Sequence, residues 1–234
     1  MSELRTAAGQ PCLMEFDRTN PEAVKWARTR AAQLVTEVTA ETQKAIRHII
    51  ARAFREGIAP RESARLIRDV VGLRTDQTDS VLALRTRLLA AERKAARTGR
   101  PVRVPVPGGA SSTVPPRGLG ADRISAILKR QAQRQLRQRA LLIARTETIA
   151  ASNAGQQELW RQAVSSGLLR GNELQMWTVS FDERLCPVCR PLNGVTVPMG
   201  VPFQTSLGPV YAPPAHPNCR CAVVLSVPSP RSRR

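Results

Sequence analysis

Asp182-Glu183-Arg184-Leu185-Cys186-Pro187-Val188-Cys189 and, further on, His216-Pro217-Asn218-Cys219-Arg220-Cys221 decide how the rest of the chain is read. Four of the five cysteines and one of the two histidines fall within these stretches. A Cys-x2-Cys knuckle facing a His-x2-Cys-x-Cys knuckle offers Cys186, Cys189, His216, Cys219 and Cys221, one donor more than tetrahedral zinc takes, and the expected four are Cys189, Cys219 and Cys221 plus either Cys186 or His216. The intervening residues are rich in Gly and Pro and poor in apolar side chains, so a cross-link there would stabilise them. A structural Zn2+ is the favoured reading. Buried reduced thiols and a pair of disulfides are the alternatives.

The flanking sequence is β in character. Trp177, Val179 and Phe181 alternate with Thr178 and Ser180, Asn193-Gly194 signals a turn before Val195–Val197, and Ala222–Leu225 makes a third short strand. The knuckles therefore fall at strand ends.

Upstream the periodicity is helical. Asn20-Pro21-Glu22 opens a helix whose apolar positions recur from Val24 to Phe54, and Gly57 closes it. Unbroken, it would be an arm of roughly 50 Å. His48 on this helix reads as a structural histidine. Pro60 starts a short helix that Gly72 ends, and Thr75 to about Thr98 is another, stopped by Gly99. In residues 99–120, Val102, Val104 and Val106 alternate with Arg103, Pro105 and Pro107, and Gly108-Gly109 and Pro115-Pro116 follow. Prolines at that density predict a mobile or irregular extended loop. A long helix is expected from about Asp122 to Ser166, ending at Gly167, with Arg130, Arg134, Arg137 and Arg139 clustered away from its apolar side.

The fold class is thus α+β, long helical arms followed by a small antiparallel β module with a Cys/His knuckle pair. The expected organisation is an N-terminal helical region 1–98, a Pro/Gly-rich flexible loop 99–120, a long basic helix 121–170, the β module 171–226 and a basic disordered tail 227–234.

Net charge is +18, which points to a polyanionic partner or surroundings. Residues 171–225 carry three basic and three acidic groups, so the charge lies on the helices and the tail, where Arg130, Arg134, Arg137, Arg139, Arg231, Arg233 and Arg234 are the expected nucleic-acid contacts. Only 3% of residues are aromatic, which argues against a base-stacking surface. No apolar run approaches the ~20 residues of a membrane span, and no signal peptide is visible, so the cysteines are expected to be reduced in a cytosolic setting. Cys12 is a lone thiol with no expected role.

Taken together, Phe16-Asp17 with the Trp26 helix, Ile143-Ala144-Arg145-Thr146-Glu147 with Asn153, Trp177-Thr178, Asp182-Glu183-Arg184, the Cys186 knuckle and Pro213-Pro214 leading into His216-Pro217-Asn218-Cys219-Arg220-Cys221 resemble the phage minor head proteins of the Mu F type, a head morphogenesis family. The resemblance runs from about Phe16 to Leu225. It implies a low-copy protein of the virion, inside the head near the portal and in the host cytoplasm during assembly, with no established catalytic activity. The implied partners are the portal protein, capsid or scaffold proteins and phage DNA. Arg145, Thr146, Glu147, Asn153, Asp182 and Arg220 are its structural motif residues, with Asp182 and Arg220 expected to pair between the knuckles.

Two other function classes stand beside this one. A metal-dependent nuclease or hydrolase would use Asp182, Glu183 and His216 around the metal, but catalytic zinc keeps a position open and a four-ligand site does not. A free-standing non-specific DNA-binding protein has only charge in its favour, because no helix-turn-helix and no repeated finger is present.

Overall fold

The computed structural model describes residues 4–5, 11–12, 21–30, 35, 38–109, 111–180 and 185–226. Phe16, Asp17, Phe181, Asp182, Glu183, Arg184 and the tail arginines Arg231, Arg233 and Arg234 lie outside them, and so does the expected Asp182–Arg220 pair. The chain divides into two compact units, one of residues 1–67 with 141–234, the other of residues 68–140. The expected α+β class holds: long helices dominate the chain up to Ser165, and small antiparallel sheets dominate the C-terminal part.

In the first unit, two-residue strands β1 (Leu4–Arg5) and β2 (Pro11–Cys12) pair antiparallel, followed by α1 (Pro21–Arg30) and α2 (Ala40–Glu56). The long first arm is therefore two helices. Thr39, at φ −72° and ψ 162°, caps α2 by accepting a hydrogen bond from Thr42 N–H on its hydroxyl. This local side-chain bond starts a fresh helix within a run of apolar periodicity that alone reads as continuous. α2 is about 25 Å long at ~1.5 Å per residue. Gly57 ends it in the left-handed region at φ 65°, with Ile58 N–H returning to the Ala53 carbonyl. His48 is exposed on α2, so the expected structural role is corrected.

α3 (Pro60–Val70) leads into the second unit, where α4 (Thr75–Thr98) ends at Gly99, φ 64°. Residues 99–120 are not the irregular loop expected. β3 (Val102–Val104) and β4 (Ser112–Val114) form an antiparallel hairpin with Val102 opposite Val114. Val104 and Val114 are buried and join Leu84, Leu88, Ala91, Ala95 and Ile124 in a core of this unit's own. The prolines do not prevent the pairing, because Pro101 and Pro105 flank β3 and interrupt no ladder bond. The Arg134 guanidinium lies against the Gly108–Gly109 turn, where a Cβ on Gly109 would collide with its Nη1.

α5 (Ala121–Ser165) contributes to both units. Glu92 Oε1 accepts from the N–H groups of Leu119 (2.6 Å) and Gly120 (3.2 Å), which fixes the turn into α5. Arg139 is buried and donates from Nη1 to the Gly72 carbonyl at 2.7 Å. Its expected role as a nucleic-acid contact is therefore replaced by a structural one. Arg130 and Arg137 are exposed and Arg134 half-buried.

The C-terminal β module belongs to the first unit. β5 (Leu174–Thr178) is the centre of a three-stranded antiparallel sheet between β6 (Thr196–Pro198) and β9 (Ala222–Ser226). β7 (Phe203–Thr205) and β8 (Gly208–Val210) make a separate hairpin. Trp177 and Phe203 are fully buried and meet edge to face, 5.2 Å between centroids at 74°. Trp160 and Ala163 of α5, Leu192, Val223, Cys189, Cys219 and Cys221 complete this core. The module thus has more apolar core than its Gly- and Pro-rich sequence suggests.

Burying a carboxylate at Val114 costs several kcal/mol unless the hairpin opens. In Val114→Asp, trypsin should cut at Arg103 and Arg117 at least ~10-fold faster than in the wild type. Emission from Trp26, Trp160 and Trp177, all in the first unit, should stay unchanged. Equal cleavage rates would refute the hairpin.

Candidate metal centre

Each knuckle is built by a turn that its own sequence dictates. Cys189 N–H donates to Cys186 Sγ at 3.3 Å and Arg190 N–H to the Cys186 carbonyl at 3.0 Å, so Cys-Pro-Val-Cys curls around its first sulfur. A short 3₁₀ turn, Arg190–Leu192, follows and buries Leu192. In the second knuckle, Cys219 N–H donates to the His216 carbonyl at 3.2 Å, which makes His216-Pro217-Asn218-Cys219 a β-turn. Asn218 has φ 63°, and Pro at the preceding position is confined to negative φ, so the turn is type II. The Pro-Asn pair suits those two positions, and closing the turn sets His216 beside Cys219.

The two knuckles meet at Cys189. Cys186, Cys189 and His216 place one ligand atom each within 4.8 Å of one another, and so do Cys189, Cys219 and Cys221. Cys186 Sγ and Cys189 Sγ lie 3.0 and 3.1 Å from His216 Nε2, and Cys189 Sγ is 3.8 Å from Cys219 Sγ. That sulfur separation equals the edge of a tetrahedron with Zn–S bonds of about 2.3 Å. A cavity of about 20 Å³ lies among these residues, room for one small ion. His216 Nδ1 is 2.9 Å from the Pro217 carbonyl, which can only accept, so Nδ1 carries the proton and Nε2 presents its lone pair to the sulfurs. A backbone carbonyl fixing the tautomer in this way is the usual support of a metal-binding histidine.

Without metal, the thiols compete for one negative charge. Cys219 is held down at about 5, first by the hydrogen bond from the Cys221 thiol, against the opposing effect of burial. Cys189 is pushed up to about 12 by burial, then by its bond with Cys186. Cys221 is pushed up too, chiefly because its proton is held in the bond to Cys219. A divalent cation stabilises every thiolate it binds, and soft sulfur with one imidazole is a donor set that zinc accepts.

The cluster is tied to α5 at two points. Thr146 Oγ1 donates to the Leu142 carbonyl at 2.8 Å and accepts from Asn218 N–H at 2.8 Å. Asn153 Oδ1 accepts from Val223 N–H at 3.0 Å, and its amide donates to the Ile149 carbonyl at 2.9 Å. Cys219 and Cys221 lie between the two anchored residues. Thr146 and Asn153 are both buried, two turns apart on one helix face, and each satisfies its hydrogen-bonding groups through the helix and the loop. Sequence reasoning singled out both residues but not their partners.

Ser180 Oγ donates to the Arg220 carbonyl at 3.2 Å, holding the second knuckle from the strand side. Of the other motif residues, Arg145 is half-buried and Glu147 buried. Glu147 lines a cleft of about 650 Å³ with Lys25, Trp26, Gln157, Arg161 and Tyr211. Gln157 and Gln175 were not anticipated. The Gln157 amide donates to the Tyr211 carbonyl at 2.8 Å and to Gln175 Oε1 at 3.2 Å, while the buried Gln175 amide donates to the Val201 carbonyl at 2.9 Å. These bonds tie α5, β5 and the loops around β7 and β8 together. A glutamine in a strand with no local partner gave no signal of this in the sequence.

Residues 116–224 match the family model described as Phage Mu protein F like protein. The matched segment contains all five donors and both anchor residues. The chain matches no curated protein and no solved structure.

Protein purified without chelator should carry about one zinc per chain by elemental analysis. Reloading the stripped protein at neutral pH should release protons, because Cys189 is protonated until metal binds. Thr146→Val leaves the Asn218 N–H without its acceptor and should weaken zinc affinity about 10- to 100-fold in chelator competition. Thr146→Ser should restore it. Unchanged affinity in Thr146→Val would remove the anchor from the account.

Proposed function

From the Phage Mu protein F like domain that the chain carries over residues 116–224, we propose that it is a minor head protein of a tailed phage or prophage. It is present at a few copies inside the head near the portal, and it acts in head assembly and in DNA packaging or ejection. The observation carrying this reading is the coincidence of the family match with a knuckle pair pinned to α5. A closed, anchored cluster of this kind supports a part that positions rather than reacts.

Zinc, when bound, supplies a cross-link between the two knuckles and neutralises the buried thiolates. We assign Cys186, Cys189, His216 and Cys219 as its ligands, with Cys221 as hydrogen-bond donor to the Cys219 sulfur. The assignment rests on the convergence of the first three donors and on the Cys189–Cys219 sulfur separation.

The hydrolase reading finds little support in the site. His216 turns one ring nitrogen to the Pro217 carbonyl and the other to two thiols, so it is engaged as a ligand and not poised as a base. Partners in this proposal are the portal protein, capsid or scaffold proteins, and phage DNA held without sequence preference. The charge of +18 supports the last of these, since a basic chain tolerates surroundings crowded with phosphate. No helix among the described residues is long and apolar enough to cross a membrane.

Quantitative mass spectrometry of purified virions tests the role. The expected result is a few copies per head, with the protein or infectivity lost in Cys189→Ser/Cys219→Ser virions while shells still form. Hundreds of copies per head, or none, would overturn it.

A further inference from the structure

The unit of residues 68–140 holds 16 basic and 5 acidic residues, a net +11 of the chain's +18. Its carboxylates are largely committed. Asp69 pairs with Arg68 at 3.2 Å, Asp76 with Arg74 at 2.6 Å, and Glu92 accepts the two backbone N–H groups that lead into α5. Asp79 and Asp122 sit in the opening turns of α4 and α5.

Between α4 and β3 runs a groove of about 270 Å³ walled by Arg87, Lys94 and Arg103, with Ala91, Val102 and Val104 among its floor residues. No carboxylate lines it. All three cations are exposed, and none has a carboxylate partner among the described residues. Arg87 makes one long bond, from Nε to the Ala83 carbonyl at 3.4 Å. Arg87 and Lys94 are seven residues apart and so share a face of α4, about 10 Å along its axis. Phosphates follow one another every ~3.4 Å of axis on each strand of a duplex, so that span matches about three of them.

The partner's chemistry can be narrowed further. Residues 68–140 contain no Phe, Trp or Tyr, so this unit has no aromatic face on which to stack an unpaired base. We propose that the α4–β3 groove is a seat for the phosphodiester backbone of duplex DNA, with Arg87, Lys94 and Arg103 as the phosphate contacts. The proposal rests on the reading above that the chain works beside phage DNA. It places the contact in this groove, where sequence alone suggested the α5 arginines and the tail.

The test is fluorescence anisotropy of the full-length, zinc-loaded protein on a random-sequence duplex across a salt series. Arg87→Gln/Lys94→Gln/Arg103→Gln is compared with Arg28→Gln/Lys44→Gln/Arg55→Gln, which removes the same charge from exposed positions of the other unit. The groove variant should bind at least ~30-fold more weakly at about 0.1 M salt, with the slope of log K against log salt reduced by about 2 to 3. The control should lose less than about threefold. Arg103→Gln alone, which leaves α4 intact, should lower the slope by about one. Equal losses in the two triple variants would overturn the groove and leave DNA binding standing. A wild-type protein that ignores duplex DNA, or prefers single strands or an acidic protein, would overturn both the groove and the reading beneath it.

Discussion

Two backbone N–H groups, those of Asn218 and Val223, end on side-chain oxygens of a single helix, and the donor cluster depends on that attachment. The segment between them carries Cys219 and Cys221 in a stretch too short and too polar to hold its own shape. Left to itself it would lose considerable conformational entropy on gathering its ligands. Fastened at both ends to α5, it presents them already gathered. The helix is suited to the task because Thr146 and Asn153 also bond carbonyls one turn back, which fixes their side chains before the loop arrives. Packing and the gathering of the donors therefore reinforce each other: Cys189, Cys219 and Cys221 border the same core as Trp177 and Phe203.

Much of this was legible in the sequence, and the exceptions have physical causes. α3, α4 and α5 carry Pro or Gly at their ends, and their observed bounds fall within about a residue of the expected ones. The first arm reads as continuous because apolar periodicity does not register a threonine that caps a new helix partway along. The β3–β4 hairpin is hidden because Pro105 and Pro107 mask the alternation of Val102 with Val104. The structure ends the strand at Val104, just short of the proline. Pro209 is likewise tolerated in β8, an edge strand of a two-stranded sheet.

At the site, ligand spacing was readable because each knuckle is a local turn. The anchoring bonds were not readable, because Thr146 and Asn218 are 72 residues apart and Asn153 and Val223 are 70 apart. Pairing over such distances leaves no pattern in the chain. Arg139 shows the opposite error, a charged residue in a basic run that is in fact buried against the Gly72 carbonyl.

The units also divide the work of charge. Three of the five carboxylates of residues 68–140 are spent on neighbouring arginines and on the turn into α5, and Arg87, Lys94 and Arg103 have no carboxylate partner among the described residues. The β module balances its charges, and its Gln175 turns inward to bond the Val201 carbonyl. One unit is electrostatically open to an anion, and the other is closed around soft donors.

Residues 68–140 interrupt the other unit in sequence, and this has a consequence for the order of synthesis. Ala53 and Phe54 of α2 flank a cavity of about 280 Å³ whose far wall is Thr148, Ile149 and Ser152. On the ribosome that wall does not yet exist when α2 emerges. At roughly 5–20 residues per second, translating the 93 residues between Phe54 and Thr148 takes about 5–19 seconds. Throughout that interval the face of α2 that borders this cavity lacks its final neighbours, while the basic unit, contiguous in sequence, completes its own core.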